Sequence, residues 1–289
     1  MSRAGEAGGH LGVEPRRYGK LRLAFFRAVE GACALVGGRR LYRLRHLAPG
    51  RFGLRTERLS VPGLPAGLAG FRIVHLSDLH GGRFLGAGDL RAVIAAANDL
   101  APDLCVVTGD FVTHHHSEVL PLVDDLAALR AAHGTLAVFG NHDYKERAEA
   151  RVAEALAGAG VRVLRNTCER IEVEGGALGV VGLEDLEEGR EVDLAGARAG
   201  LCPGDVELVL CHNPLGAPLL ARRGCIAVLS GHTHGTQIDL PFLRELGPPH
   251  PGLRVELGET SLIVSRGLGA VGLPLRVGAP AELVVLELE

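Results

Sequence analysis

The sequence has no tryptophan, a single methionine and only 4% aromatic residues, and its six cysteines include no C-x-x-C pair. The lack of paired cysteines argues against a disulfide framework. Cys105, Cys211 and Cys225 lie in or beside apolar runs, where small buried thiols are common. We therefore expect a protein of a reducing compartment.

The N-terminal region also lacks an apolar run long enough to cross a bilayer. Its best candidate, Leu23–Val36, is shorter than the roughly 20 residues required and contains Arg27 and Glu30. No internal repeat is evident. The hydrophobic content of 47% with 22% charged residues is typical of a globular protein, and 289 residues suffice for one large core with a small appendage.

Positive charge is scarce in most of the chain and concentrated at its beginning. Residues 1–60 contain 13 Arg and Lys against 4 Asp and Glu, a net charge of +9, and the total of −3 leaves −12 for residues 61–289. A basic segment on an acidic body suggests that the segment meets an anionic partner. The acidic body argues against a nucleic-acid groove, so no nucleic-acid partner is expected and a nuclease is disfavoured.

The basic N-terminal arm, residues 1–54, is predicted to be partly disordered and partly helical. Residues 1–14 are rich in Gly and Ala, and a helix is expected from Pro15 to about Leu47. At 100° per residue, its apolar positions fall on one face, opposite Lys20 and Arg27. These positions are Phe25, Phe26, Val29, Ala32, Cys33 and Val36.

Two interpretations of this amphipathic helix are open. With its flanking arginines it fits an anionic membrane surface, which predicts a cytoplasmic protein held at the inner face of the membrane. In the alternative, the helix packs on its own domain and its arginines are solvated. The pair Arg16-Arg17 ahead of an apolar stretch also resembles a twin-arginine export signal, which the charges inside the stretch oppose. A break in the helix is expected at Gly37-Gly38.

Each of five apolar runs of strand length is followed within two or three residues by Asp, Asn or His. Open α/β sheets place their sites at the carboxyl ends of strands, so these polar residues are expected to converge. The five polar segments are Ser77-Asp78-Leu79-His80, Thr108-Gly109-Asp110, Gly140-Asn141-His142-Asp143, Cys211-His212-Asn213-Pro214 and Gly231-His232-Thr233-His234-Gly235. Imidazole is a good ligand of Zn, Fe or Mn, so a metal site is predicted there.

Strand and helix patterns alternate over residues 55–289, with more antiparallel strand towards the end. The expected helices are Asp89–Leu100, Ser117–Ala132, Tyr144–Ala157 and Leu215–Arg223. Such alternation predicts an α/β domain.

The sequence resembles the calcineurin-like metallophosphoesterases, whose five motifs match the five polar segments in order. The resemblance implies a four-layer α/β/β/α sandwich, two divalent metal ions (Mn, Fe or Zn) and hydrolysis of a phosphoester substrate by a metal-bridging hydroxide. A closer resemblance is to the YkuE-like branch of bacterial, often membrane-associated phosphohydrolases. It is carried by Leu76–His80, Gly140–Tyr144, His212–Pro214 and Ser265–Gly269.

The resemblance also implies individual roles. The bridging metal ligand would be Asp110. The other ligands would be Asp78, His80 and His234 for one ion and Asn141, His212 and His232 for the other. His142 would face the leaving oxygen with Asp143 orienting its ring, although an ordinary helix N-cap also explains an Asp there. Arg266 and Arg276 are candidates for binding substrate phosphate, with structural or solvated arginines as the alternative.

The second motif departs from the family pattern. That pattern often reads Gly-Asp-x-x-Asp, whereas Asp110 is followed here by Phe111-Val112-Thr113-His114. The missing carboxylate is not usually a metal ligand, so the metal site is expected to survive. The run His114-His115-His116 is expected to be an exposed loop rather than an extra metal site.

The expected function is therefore hydrolysis of a phosphodiester or pyrophosphate bond. A related group of enzymes, the LpxG type, hydrolyses UDP-2,3-diacylglucosamine in lipid A synthesis, which makes a lipid-linked substrate a candidate. A soluble phosphodiesterase of broad specificity is the alternative. A non-catalytic binding module is disfavoured because no ligand is missing.

Overall fold

Runs of three to seven residues form the strands of two six-stranded sheets in the computed structural model, which describes residues 20–239 and 248–289. In chain order the strands are β1 Gly53–Leu59, β2 Arg72–Leu76, β3 Leu104–Thr108, β4 Thr135–Val138, β5 Val161–Val163, β6 Thr167–Val173, β7 Gly176–Gly182, β8 Val206–Leu210, β9 Cys225–Ser230, β10 Arg254–Leu257, β11 Thr260–Val264 and β12 Glu282–Leu288. One sheet has the order β1-β12-β2-β3-β4-β5 and the other β10-β11-β9-β8-β7-β6.

The described residues form seven α-helices. They are α1 Lys20–Leu35, α2 Gly38–Tyr42, α3 Arg91–Asp99, α4 Val123–Ala127, α5 Glu149–Gly158, α6 Leu194–Arg198 and α7 Ala217–Leu220. Apolar side chains of α3, α4 and α5 pack on the first sheet, and those of α6 and α7 pack on the second. A separate apolar cluster fills the space between the sheets. The four-layer α/β/β/α sandwich is confirmed.

Parallel pairing brings the polar strand ends together. Strands β2, β3 and β4 are parallel neighbours in the first sheet, as are β7, β8 and β9 in the second. Their carboxyl ends therefore lie at one edge of each sheet. The two edges meet, because the amide of His232 donates to Asp78 Oδ1 at 3.0 Å and His212 Nδ1 lies 2.6 Å from the carbonyl oxygen of Thr108.

Three predicted helices are wrong in their bounds. The one predicted as Leu215–Arg223 is α-helical only over Ala217–Leu220. The segment predicted as helix Ser117–Ala132 begins as a 3₁₀-helix, residues 116–122, and its α-helical part is only α4. Pro121 lies in this segment, and proline removes a backbone donor that an α-helix needs. The helix predicted from Tyr144 begins at Glu149, since residues 141–144 form a separate 3₁₀ turn that carries most of the third motif.

The N-terminal helix breaks where the sequence predicts. Helix α1 ends at Leu35, Gly37 has φ 87°, and α2 begins at Gly38. The residues predicted to be disordered, 1–14, and the pair Arg16-Arg17 lie outside the described residues. Among the described residues, no helix combines the length and the apolarity that crossing a bilayer requires.

Residues at the end of the predicted arm belong to the core of the domain. Tyr42 and Leu47 are fully buried in the apolar cluster of the first sheet. The Tyr42 hydroxyl lies 2.6 Å from the carbonyl oxygen of Leu268 and accepts a hydrogen bond from Arg276 Nε at 2.9 Å. We therefore count residues 38–47 with the catalytic domain rather than with the arm predicted to end at residue 54.

Replacing Tyr42 by phenylalanine is expected to lower the free energy of unfolding by about 2 kcal/mol, because a buried guanidinium loses a hydrogen-bond acceptor. Urea denaturation measures this change. Leu44→Ala is the control: Leu44 is 52% exposed on the same segment, and its truncation is expected to change the value by less than about 0.5 kcal/mol. Equal effects of the two substitutions would contradict this role for Tyr42.

Candidate metal centre

Four residues from three strand ends direct ligand atoms to one point. One ligand atom each from Asp78, His80, Asp110 and His234 lies within 4.8 Å of the others, and all four residues are buried. The Nε2 atoms of His80 and His234 are 3.0 Å apart. Asp110 Oδ2 lies 3.4 Å from His80 Nε2, and Asp78 Oδ1 lies 3.4 Å from His234 Nε2. The imidazole nitrogens and carboxylate oxygens of these residues converge closely enough to bind one cation together.

A second group of donors lies against the first and shares Asp110. Asp110 Oδ2 is 3.3 Å from His212 Nε2, a buried nitrogen with no hydrogen-bond partner among the described residues. His232 Nδ1 lies 3.1 Å from Asn141 Oδ1, and the rings of His212 and His232 are 5.1 Å apart. An unpartnered imidazole nitrogen beside a shared carboxylate is what a two-metal site requires, so the residues fit a dinuclear centre.

The backbone at these strand ends is strained. Of the ten non-glycine residues described with positive φ, five belong to the predicted ligand set, with φ between 48° and 68°. They are Asp78, His80, Asp110, His232 and His234. Such conformations cost energy and persist where the surrounding structure imposes them, commonly at functional sites.

Two glycines of the motifs allow the ligands to approach one another. A Cβ atom on Gly140 would lie 2.3 Å from Asp110 Oδ1, and one on Gly231 would lie 2.3 Å from Asp78 Oδ2. Both distances are too short for any side chain, so only glycine can occupy these two positions without displacing a ligand carboxylate.

The centre carries buried negative charge that protein groups compensate only in part. Burial raises the pKa of Asp78 to about 6, and it raises the pKa of Asp143 to about 8 with help from the charge of Asp110. Burial opposes a charge on His212, but the carboxylate of Asp110 outweighs it and raises the pKa of this histidine well above its usual value. Divalent cations would supply the missing positive charge.

Residues 71–236 match the calcineurin-like phosphoesterase family. The chain belongs to this family. It is 33% identical over 282 residues to the uncharacterized metallophosphoesterase YkuE of Bacillus subtilis, an alignment that covers 93% of this chain and 97% of that protein. It is 31% identical over 275 residues to the phosphodiesterase YaeI of Escherichia coli, covering 92% and 98% of the two chains.

A third relative carries further sequence. The transmembrane protein with metallophosphoesterase domain of Bos taurus is 32% identical over 251 residues, which cover 81% of this chain and 56% of that protein. Family membership and the buried donor set together identify a metal-dependent phosphoesterase with a dinuclear metal site that includes Asp78, His80, Asp110 and His234.

In this metallophosphoesterase, Asp143 does not orient His142 as predicted from the resemblance. The Asp143 carboxylate accepts hydrogen bonds from four backbone amides, at 2.9–3.2 Å. The donors are the amides of Asp110, Phe111, Val112 and Gly140. Asp143 thus fixes the backbone of the loop that carries Asp110. The His142 ring is held by Thr113, whose carbonyl oxygen lies 2.8 Å from Nδ1.

The two arginines predicted for substrate phosphate have protein partners. Arg276 is buried, and its guanidinium donates to the carbonyls of Arg266, Gly269 and Ala279. These contacts give Arg276 a structural role, so its prediction as a substrate ligand is wrong. The sequence does not show the backbone carbonyls that surround its guanidinium in the fold. Arg266 is half-buried and pairs with the carboxylate of Glu282, so it is a weaker candidate for substrate than the sequence indicates.

Two residues near the site escaped the sequence prediction. Glu187 Oε1 lies 3.1 Å from His232 Nε2 and accepts from Asn213 Nδ2, so it orients a predicted metal ligand. The sequence feature that could have identified Glu187 is the acidic run at residues 184–188, which follows β7 as the other polar segments follow their strands. The second residue, Lys145, contacts His142; it lies two residues after the third motif in the sequence.

The histidine run after the second motif is an exposed loop only in part. His115 is exposed, whereas His114 and His116 are half-buried. His115 and His116 form a group with Glu146 whose ligand atoms lie within 4.8 Å of one another. His114 points the other way, and its Nε2 lies 2.7 Å from Glu30 Oε2.

Proposed function

We propose that this metallophosphoesterase hydrolyses a phosphodiester or pyrophosphate bond of a lipid-linked substrate at an anionic membrane surface. The observation that carries the proposal is an exposed apolar and basic surface on the N-terminal helices. Six of the eleven large hydrophobic residues that are exposed in the described structure lie between residues 21 and 44. They are Leu21, Phe25, Leu35, Val36, Leu41 and Leu44, and we call them the apolar rim.

Basic residues accompany the apolar rim. Arg39, Arg40, Arg43 and Arg45 are exposed on the same segment. Arg39 Nε also lies 2.6 Å from Asp89 Oδ2, which fixes α2 to the domain. Each basic residue near an anionic leaflet contributes about 1 kcal/mol of attraction, and each large apolar side chain that leaves water contributes about 1.5–3 kcal/mol. A membrane would satisfy both kinds of residue.

The helix that carries the apolar rim also lies against the loops around the metal centre. Glu30 of α1 is buried; one of its oxygens lies 2.7 Å from His114 Nε2, and the other accepts from the amide of Gly272 at 2.9 Å. His114 directly follows Thr113, whose carbonyl holds the His142 ring. A lipid headgroup at the rim would therefore lie near the reacting groups. One face of the helix packs on the domain, as the alternative interpretation expects, and the exposed face is free for the proposed membrane contact.

The donor sets support a proposal for the chemistry. We propose that Asn141, His212 and His232 hold the second ion, with Asp110 shared, and that the ions are Mn, Fe or Zn because the ligands are rich in nitrogen. When bound, two such cations supply a hydroxide at neutral pH and neutralise the phosphoryl oxygens. The chain's own contribution is to hold these ligands rigidly and to place His142 beside His80, with ring centres 4.7 Å apart. We propose that the leaving oxygen lies on this side of the site.

We expect the double variant L35E/V36E to bind anionic vesicles at least ~10²-fold more weakly than the wild type, because it removes two apolar anchors and adds two negative charges. Vesicle co-sedimentation at low salt measures this, and wild-type binding should weaken as salt screens the arginines. The matched control is L219E on α7, where Leu219 is 64% exposed away from the rim; it should bind like the wild type.

Substitutions test this surface better than a deletion of residues 1–50 would, because the deletion would remove Tyr42 and Leu47 from the core. All variants should hydrolyse a small soluble phosphodiester at the wild-type rate, whereas L35E/V36E should lose activity on vesicle-embedded UDP-2,3-diacylglucosamine. Wild-type protein that ignores anionic vesicles at low salt would refute the membrane proposal. A soluble phosphodiesterase of broad specificity would then be favoured.

A further inference from the structure

A histidine lies in the apolar layer between the two sheets. His75 on β2 is fully buried, and its Nδ1 has no hydrogen-bond partner among the described residues. It shares a face of β2 with Ile73, which belongs to the apolar cluster between the sheets. A buried polar group costs free energy unless it is hydrogen-bonded, so the bond that His75 does make bears on why it stands there.

A chain of three hydrogen bonds joins His75 to the metal ligand Asp78. His75 Nε2 lies 2.8 Å from Thr108 Oγ1, which in turn lies 2.8 Å from Ser77 Oγ. Ser77 Oγ lies 2.6 Å from Asp78 Oδ2. All four residues are fully buried, so bulk water does not compete for these bonds.

The carboxylate at one end of this chain determines the direction of every bond in it. An ionised carboxylate only accepts, so Ser77 donates its single hydroxyl proton to Asp78. Ser77 must then accept from Thr108, whose own proton is used in that bond, and Thr108 must accept from His75. The proton of the imidazole is therefore on Nε2. Burial lowers the pKa of His75 to about 3, which agrees with a neutral ring.

The Ser77 hydroxyl has a second acceptor within reach. Its Oγ lies 3.2 Å from the carbonyl oxygen of Thr108, compared with 2.6 Å from Asp78 Oδ2. A hydroxyl that accepts a hydrogen bond becomes a stronger donor, so the bonds from His75 and Thr108 strengthen the one to Asp78. With Oδ2 held in this way, Asp78 Oδ1 lies 3.4 Å from His234 Nε2, inside the donor group of the metal centre.

We propose that His75 is a positioning residue for Asp78, acting through Thr108 and Ser77 to hold this carboxylate in the orientation that binds a metal ion. The proposal rests on the metal centre and is independent of the lipid-linked substrate. Hydrogen-bond partners of metal ligands typically change metal affinity 10–100-fold. His75 acts through two hydroxyls, so the effect of removing it is expected at the lower end of that range, about tenfold.

The test compares His75→Leu with His75→Gln in the full-length protein stripped of metal. Leucine fills the space without a donor, whereas the amide of glutamine can donate near the position of Nε2. In equilibrium dialysis, His75→Leu should bind Mn²⁺ about tenfold more weakly at one of two sites, and His75→Gln should stay within about threefold of the wild type. The metal-free His75→Leu protein should melt at or above the wild-type temperature, because it buries no unpaired Nδ1.

Thr108→Val interrupts the same chain at its next link and keeps the shape of the side chain. It should weaken Mn²⁺ binding at one site as His75→Leu does, and it carries the test if leucine at position 75 prevents folding. The matched control is His46→Leu. His46 is also buried with an unpartnered Nε2 among the described residues, but it stacks on Tyr42 and should keep the wild-type affinity at both sites.

Wild-type Mn²⁺ affinity in both His75→Leu and Thr108→Val would overturn the proposal. Equal losses in His75→Leu and His75→Gln would also overturn it, because a donor at this position would then have no effect. A lower melting temperature in His75→Leu with unchanged Mn²⁺ affinity would leave His75 a purely structural role. Wild-type protein that binds no Mn²⁺ would instead refute the metal centre itself, so the two failures are distinguishable.

Discussion

Replacement of Asp110 by asparagine is expected to abolish phosphoester hydrolysis and to reduce the bound metal from two ions per chain to at most one. The Oδ2 atom of Asp110 lies 3.4 Å from His80 Nε2 and 3.3 Å from His212 Nε2, so one anionic oxygen serves both donor groups. Asparagine keeps the size of the side chain but not the charge that holds two cations close together. Metal analysis of the purified variant and hydrolysis of bis(4-nitrophenyl) phosphate measure the two effects.

The control for this prediction is Glu207→Gln. Glu207 is a buried carboxylate on β8 that pairs with Arg198 and Arg222 and has no contact with the metal centre among the described residues. Its substitution should lower the melting temperature and leave metal content and turnover unchanged. If Asp110→Asn retains two ions and wild-type turnover, Asp110 is not the shared ligand.

The second large effect is expected for His142→Ala. Turnover of a substrate with a poor leaving group should fall by ~10²–10⁴, the range for loss of a positioned group at a leaving oxygen. The metal content should not change, because the contact of residue 142 with Asp110 is made by the backbone amide, which donates to Oδ1 at 2.8 Å. Alanine keeps that amide and removes only the imidazole.

Leaving-group dependence distinguishes this role from a general loss of structure. The effect of His142→Ala should shrink for nitrophenyl esters, whose leaving group needs little help. Equal losses for good and poor leaving groups would contradict a role at the leaving oxygen, and loss of bound metal would indicate that the imidazole supports the ligands instead.

The sequence predicts the site well where strand pairing controls it. Each apolar run before a ligand segment is a strand, and the parallel pairing of β2 with β3 and of β8 with β9 brings those segments to shared edges. Asp78, His80, Asp110 and His234 converge for this reason. The apolar pattern alone is enough to predict these strands, because a parallel strand that is buried on both faces has a continuous apolar sequence.

Contacts between distant segments were not predictable from local pattern. In the sequence Glu30 is a charge inside the apolar run Leu23–Val36, but in the structure it is the buried residue that fixes α1 to the loop of His114. The sequence made Arg276 a candidate for binding phosphate, but its guanidinium donates to the backbone carbonyls of Arg266 and Gly269. Asp143 holds backbone amides rather than the His142 ring. In each case the partner lies far away in the sequence or depends on the conformation of a loop.

Removal and restoration of metal tests the central claim most directly. The full-length enzyme, stripped with a chelator and dialysed, should not hydrolyse bis(4-nitrophenyl) phosphate, and titration with Mn²⁺ should restore activity that saturates at two ions per chain. Asp110→Asn treated in the same way should remain inactive. Full activity of the stripped enzyme without added metal would contradict a two-metal phosphoesterase built on these strand ends.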